Sequence, residues 1–283
     1  MINHIALVSE TAQLDIAEVM KVAAAIGKQL ARDFAPIWEI PATMDAFGRL
    51  EDVPTGYWPI MVMDDIDVPG AAGIHLDDDG RPFGLANYKD GWSLTVSHEA
   101  LEMLGDPLGN TLRAGPSVHP DQDRVEYLVE VCDPSEAWEF GYDVNGVRVS
   151  DFYTPDFFSP IAATGVRYSF TDAIKKPRQV LKGGYLSWLD PATGNWWQQT
   201  WYSGAAPEFH DLGHLAQGAK SIREQIDRLS GPARVKARPL APKKPQLTQR
   251  RQMLARSGQV EESKANRLRK MVASIVADAK GEI

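Results

Sequence analysis

The stretch that most constrains the fold is Trp92-Ser93-Leu94-Thr95-Val96-Ser97-His98-Glu99-Ala100-Leu101-Glu102-Met103-Leu104-Gly105-Asp106-Pro107. Its apolar positions recur at helical spacing, Ser93 can cap its start, and Gly105 with Pro107 supplies a stop. On such a helix His98 and Glu102 lie four residues apart and project from one face. An imidazole nitrogen and a carboxylate oxygen at that spacing can reach one cation. Glu99, about 100° around the helix, reaches a water on that cation rather than the cation itself. The flanking Leu94, Val96, Leu101 and Leu104 place this polar trio at least partly inside a fold.

The rest of the chain must therefore build a core around one helix. Hydrophobic content of 43% and eight Trp suffice for that, and 283 residues hold one large domain or two ordinary ones. The single cysteine, Cys132, excludes an intrachain disulfide and fits a reducing compartment. The N-terminus lacks a basic region followed by an apolar run, and no run approaches membrane-spanning length, so a cytoplasmic protein without membrane contact is expected. The net charge of −8 is divided sharply. Residues 231–283 hold 13 Lys/Arg against 4 Asp/Glu, a net +9, so the first 230 carry −17. An acidic body with a basic tail suits an acidic partner or a nucleic acid at the tail.

Residues 4–9 read as a buried strand. Thr11 caps a long helix whose inward positions are Ile16, Met20, Ala23, Gly27, Leu30 and Phe34. Strands are expected at 36–40 and 58–63, and 73–87 reads as a turn-interrupted edge of the sheet, broken at Asp77-Asp78-Asp79-Gly80. Beyond the motif helix, 124–132 reads as a strand. Two hairpins come next, one turning at Asn145-Gly146 and one at 190–195 carrying four Trp. Residues 231–247 read as a linker, and about 259–280 as an amphipathic helix. The expected division is a core at 1–160, a hairpin-rich extension packed on it at 161–230, and a basic linker and helix at 231–283.

A catalytic metal needs a third protein ligand. Glu130 and Asp133, at the end of a strand where the chain turns back, are the best sources. The pair His210 and His214, also four apart, reads as surface histidines, and lone His119 as a loop residue.

Taken together, His98-Glu99-x-x-Glu102 followed by Asp106-Pro107 and by Glu130-x-x-Asp133 resembles the zincin-like metallopeptidases. The similarity is to a bacterial group with a Ser-His-Glu-x-x-Glu motif, over roughly residues 1–160. The resemblance implies an α+β fold with a mixed sheet and a central metal helix, followed by β-hairpins and a helical C-terminal tail. It implies one Zn²⁺ per chain on His98, Glu102 and Glu130 or Asp133, with Glu99 as general base. It also implies a peptide or protein substrate paired along Phe83, Gly84, Leu85 and Ala86. Glu102 stands where ordinary members carry a second His, which makes the site more anionic and admits other divalent ions. The expected activity is zinc-dependent peptide hydrolysis. The alternative is an inactive zincin-like structural or interaction protein working through its Trp-rich hairpins and basic tail.

Overall fold

In the computed structural model, residues 2–68, 70–216 and 221–234 are described. The fold is α+β. The first sheet runs in the order β2 (Ala42–Phe47), β1 (Asn3–Ser9), β3 (Tyr57–Met63), β5 (Arg81–Asn87), β4 (Gly73–Asp78). The first four are parallel, and β4 pairs antiparallel with β5 at the edge. Strand alternation explains its two covered faces. Ile5 and Leu7 point to one core with Ile60 and Val62, while Ala6 and Val8 join Met61, Leu76, Phe83 and Leu85 on the other.

The helix α1 (Ile16–Gln29) lies on the first face and continues through a wider π-type turn, Leu30–Phe34, into the short α2 (Ala35–Trp38). Two expectations change here. The cap is Asp15, whose Oδ1 accepts from Glu18 N at 2.9 Å, because the Thr11 hydroxyl is given to Asp64. The buried stripe is accordingly Val19, Val22, Ala23, Ile26 and Leu30, leaving Ile16 and Met20 exposed. The strand expected at 36–40 is helical through Trp38 and ends at Glu39, whose φ is 57°. Pro36 sits in the first turn, where no backbone N–H is needed, and Trp38 Nε1 donates to Tyr153 O at 2.9 Å.

The motif helix is α3 (Trp92–Gly105). Its N-cap is Gly91 rather than Ser93, whose hydroxyl donates instead to Arg148 O at 2.8 Å. From Thr95 to Leu104 every residue of α3 is buried, packed between the first sheet and the C-terminal half of the chain.

The C-terminal half builds an antiparallel sheet, ordered β12 (Glu208–Gly213), β11 (Asn195–Thr200), β10 (Tyr185–Asp190), β7 (Arg124–Leu128), β6 (Leu112–Pro116). A hairpin of β8 (Tyr142–Val144) and β9 (Val147–Val149) turns at Asn145-Gly146, both with φ above zero as its two-residue loop requires. Since β6 and β7 share a sheet with β10 to β12, a division at residue 160 does not separate two cores. Trp188 and Trp196 are buried and Trp197 and Trp201 pack against the core, so the Trp-rich hairpin is largely interior. Residues 208–213 form a strand, which sets His210 against Thr200 and His214 against Gly194 O instead of on one helical face.

The chain then forms α4 (Ile222–Arg234), anchored where Ile222 N donates to Asn110 Oδ1 at 2.8 Å and Arg223 N to Gly109 O at 3.0 Å. The linker expected from 231 therefore begins inside a helix. The amphipathic helix expected at 259–280 lies outside the described residues. Among the described residues no helix is long and apolar enough to cross a membrane.

Candidate metal centre

A buried polar network sets the helix that carries the motif. Ser97 Oγ donates to Gln29 Oε1 at 2.7 Å, Gln29 Nε2 donates to Ser150 O at 2.9 Å, and Ser150 N donates to Ser97 Oγ at 3.0 Å. Each member is satisfied, so α1, α3 and the chain after β9 are locked together directly beside His98. At the other end Asp106 N donates to Glu102 O at 2.7 Å. The Asp106 carboxylate accepts from Thr111 N and Thr111 Oγ1, both at 2.8 Å. The Asp106-Pro107 turn is thus a rigid stop that fixes the last turn of α3.

Beyond β7 the chain crosses this helix. Cys132 N donates to Glu102 Oε1 at 3.3 Å, and Cys132 itself is fully buried. Crossing so closely brings Asp133 Oδ1 to 3.2 Å from His98 Nε2, which also stands 3.3 Å from Glu102 Oε2. Four donors around a tetrahedral Zn²⁺ at about 2.0–2.2 Å stand about 3.4 Å apart, and His98 Nε2 stands at such a distance from each carboxylate, while Glu102 and Asp133 fall within 4.8 Å of each other in company with Glu130. Neither Asp133 oxygen has a hydrogen-bond partner among the described residues, although the residue is only 1% exposed. In the metal-free protein the charged His98 is the cation that meets this buried carboxylate, and a bound metal would take over that part. The donor set of one imidazole and two carboxylates fits a divalent transition metal.

The two third-ligand options separate here. Glu130 Oε1 stands 2.9 Å from Arg223 Nη1. The N–H is not aimed along that line, so the contact is an ion pair without a formed hydrogen bond. Glu130 is thereby turned to Arg223, and Asp133 to His98. Glu102, Glu130 and Asp133 nonetheless offer oxygens within 4.8 Å of one another.

Two residues at the centre carry no signal in the motif. Arg223, from the first turn of α4, ion-pairs with Glu102 Oε2 through Nη1 and reaches Asp227 at 3.5 Å through Nε. His75, on the edge strand β4, places Nδ1 at 3.6 Å from both Glu99 Oε2 and Glu102 Oε2. An isolated His in a strand and an isolated Arg 121 residues beyond Glu102 are not recognisable by spacing.

Charge and burial set the ionisation. Burial raises Glu99 to about 8, opposed by His98 and Arg223. Against its own burial, Glu102 is held well below the usual carboxylate range by Arg223 and His98. Burial works against a charged His98 too, yet Glu102, Cys132 and Asp133 together outweigh it and the imidazole is raised well above its ordinary value. Burial, opposed by Arg223, drives Glu130 up. His75 is lowered to about 3 by burial and then by Arg223, and is neutral.

A cavity of about 340 Å³ opens onto this group, lined among others by Gly73, Thr95, His98, Glu99, Asp133 and Arg223. Glu99 leans over the β4 backbone so closely that a Cβ on Gly73 would lie 2.5 Å from its Oε1. The expected substrate strand is corrected. Phe83, Gly84, Leu85 and Ala86 are buried on β5, which pairs with β3 on one side and β4 on the other, so its backbone is already engaged. The outer strand is β4. His119 sits apart from the centre, against Trp197 and Phe209. No family model, curated protein or solved structure matches this chain.

Proposed function

We propose that the protein is a metal-dependent hydrolase acting on peptide bonds, with a zincin-like arrangement. The observation that carries this reading is His98 Nε2 facing Glu102 and Asp133 at 3.3 and 3.2 Å in the wall of a cavity that Glu99 also lines. His98, Glu102 and Asp133 would hold one Zn²⁺ or a related divalent ion. Such an ion supplies an acidified water and polarises a scissile carbonyl.

The chain's own groups do the rest. Glu99 is offset around α3 from the ligands and lines the same cavity, so its carboxylate could take a proton from water and pass it to the leaving amine. Arg223 offsets the added negative charge of Glu102. That is compensation a site with a second His in this position would not need. An extended substrate would pair along β4, the antiparallel outer strand beside α3, rather than along β5.

The second reading, an inactive interaction protein of the same shape, is favoured by one observation. Arg223 already spends its guanidinium on Glu102 Oε2, an oxygen the metal would need. A peptide-library cleavage assay on the metal-loaded full chain separates them. The enzyme reading expects cleavage by wild type that is almost abolished in Glu99→Gln with the fold intact. Cleavage surviving Glu99→Gln contradicts the mechanism, and no cleavage across a broad library favours the interaction protein.

A further inference from the structure

Beside the first group lies a second, made of Glu99 and Glu102 with His75, a histidine that the hydrolytic mechanism leaves unused. His75 Nε2 is 3.2 Å from the Asp106 carbonyl oxygen. A carbonyl only accepts, so Nε2 carries the proton and Nδ1 is the bare lone-pair nitrogen. That lone pair points between Glu99 Oε2 and Glu102 Oε2, each at 3.6 Å. Three acceptors thus face one another inside the protein, on residues 2%, 3% and 0% exposed.

The contact is no hydrogen bond even with a proton on Glu99, because 3.6 Å is too long. Neither His75 Nδ1 nor Glu99 Oε2 has a partner among the described residues. Glu102 Oε2 is met by Arg223, whereas His75 Nδ1 and Glu99 Oε2 converge beside it without a donor, and a cation among the three removes their repulsion. The spacing matches that of donors around a single transition ion. An imidazole tautomer pinned through its far nitrogen by a backbone carbonyl is also the usual support of a metal-binding His.

We infer that His75 Nδ1, Glu99 Oε2 and Glu102 Oε2 form a second divalent-cation site, adjoining the first and sharing Glu102 with it. The ion class is a small transition metal accepting one nitrogen and two carboxylates, such as Zn²⁺ or Mn²⁺. Glu99 Oε2 serves either this ion or a proton, so the one-ion form is the one in which Glu99 can act as base. The second site shares Glu102 with the proposed hydrolytic site, but its test does not depend on hydrolysis.

The test is metal stoichiometry of the full chain, stripped and dialysed against Zn²⁺ and separately Mn²⁺, for wild type, His75→Ala, His75→Phe and His98→Ala. The expected result is two equivalents in wild type and one in each variant. With two equivalents of Mn²⁺, wild type should also show the spin-coupled resonance of ions sharing a carboxylate. That measurement decides the matter if the His75 variants fail to fold. One equivalent in wild type, lost in His98→Ala, or two uncoupled ions, overturns the second site and leaves the first standing. Metal lost in the His75 variants but fully retained in His98→Ala overturns the first site and leaves the second. No metal in wild type overturns both.

Discussion

Arg223 ion-pairs with Glu102 through the same carboxylate oxygen, Oε2, that His98 faces at 3.3 Å and His75 at 3.6 Å. One oxygen is therefore the hub of the centre. The guanidinium pairs with that hub in the metal-free protein, and α4, held on the second sheet through Ile226 against Leu128 and Trp196, delivers it.

Removing Arg223 should accordingly destabilise the metal-free form most. Arg223→Met leaves Glu102 and Glu130 buried without their cation, at a cost of about 3–5 kcal/mol. Denaturant unfolding with and without Zn²⁺ measures this. The loss should shrink when metal is present, and an equal loss in both conditions contradicts the charge-balancing role.

The metal-stripped protein should lose stability as pH rises between about 4.5 and 8. Glu99 and Glu130 keep their protons in the folded state while the unfolded chain gives them up above about 4.5, and His98 does the same above 6.5. In each case the folded state binds more protons, so stability falls with pH. Glu102 and His75 act oppositely: the contribution of Glu102 disappears below about 4.5, and that of His75, lowered to about 3, is lost as pH falls below 6.5. This makes the net fall shallower between 4.5 and 6.5 than between 6.5 and 8. Unfolding midpoints across this range check the sign; a rise contradicts the burial of these groups.

Gly73→Ala should damage the site without removing a ligand. The new Cβ would lie 2.5 Å from Glu99 Oε1 and 2.6 Å from Thr95 Cγ2, so Glu99 must move. Cleavage of a peptide found in the library assay should fall at least about tenfold, and overpacking should cost about 1–3 kcal/mol. Unchanged cleavage would show that the position of Glu99 is unimportant.

The basic tail should bind acidic partners or nucleic acid in a salt-sensitive way. Because α4 carries Arg223 and runs to Arg234, the informative truncation removes 235–283 and spares the helix. Electrophoretic mobility shifts at two salt concentrations, on full and truncated chains, test it. Equal binding by both chains, or by neither, contradicts a binding role for the tail.

How far the centre was legible depended on sequence distance. His98, Glu99 and Glu102 share one helix, so a spacing of four was enough to group them, while a strand ending in a Pro turn offered Glu130 and Asp133 without choosing between them. His75 and Arg223 reach the same oxygen from β4 and α4, and no periodicity connects them to it. The helical turn ending at Trp38 reads as strand because Ile37, Trp38 and Ile40 have strand character, whereas in the fold Trp38 Nε1 donates to Tyr153 O. The wrong edge strand has a similar origin. Residues 73–78 and 82–87 are both apolar and flank one turn, and only pairing with β3 shows which of them is interior.

The central claim is that His98 holds a metal, and elemental analysis of the purified full chain tests it most directly. After dialysis against Zn²⁺, wild type and His210→Ala should carry the same stoichiometric metal, and His98→Ala should carry at least one equivalent less. A wild type without bound metal, or a His98→Ala variant that keeps all of it, contradicts the account.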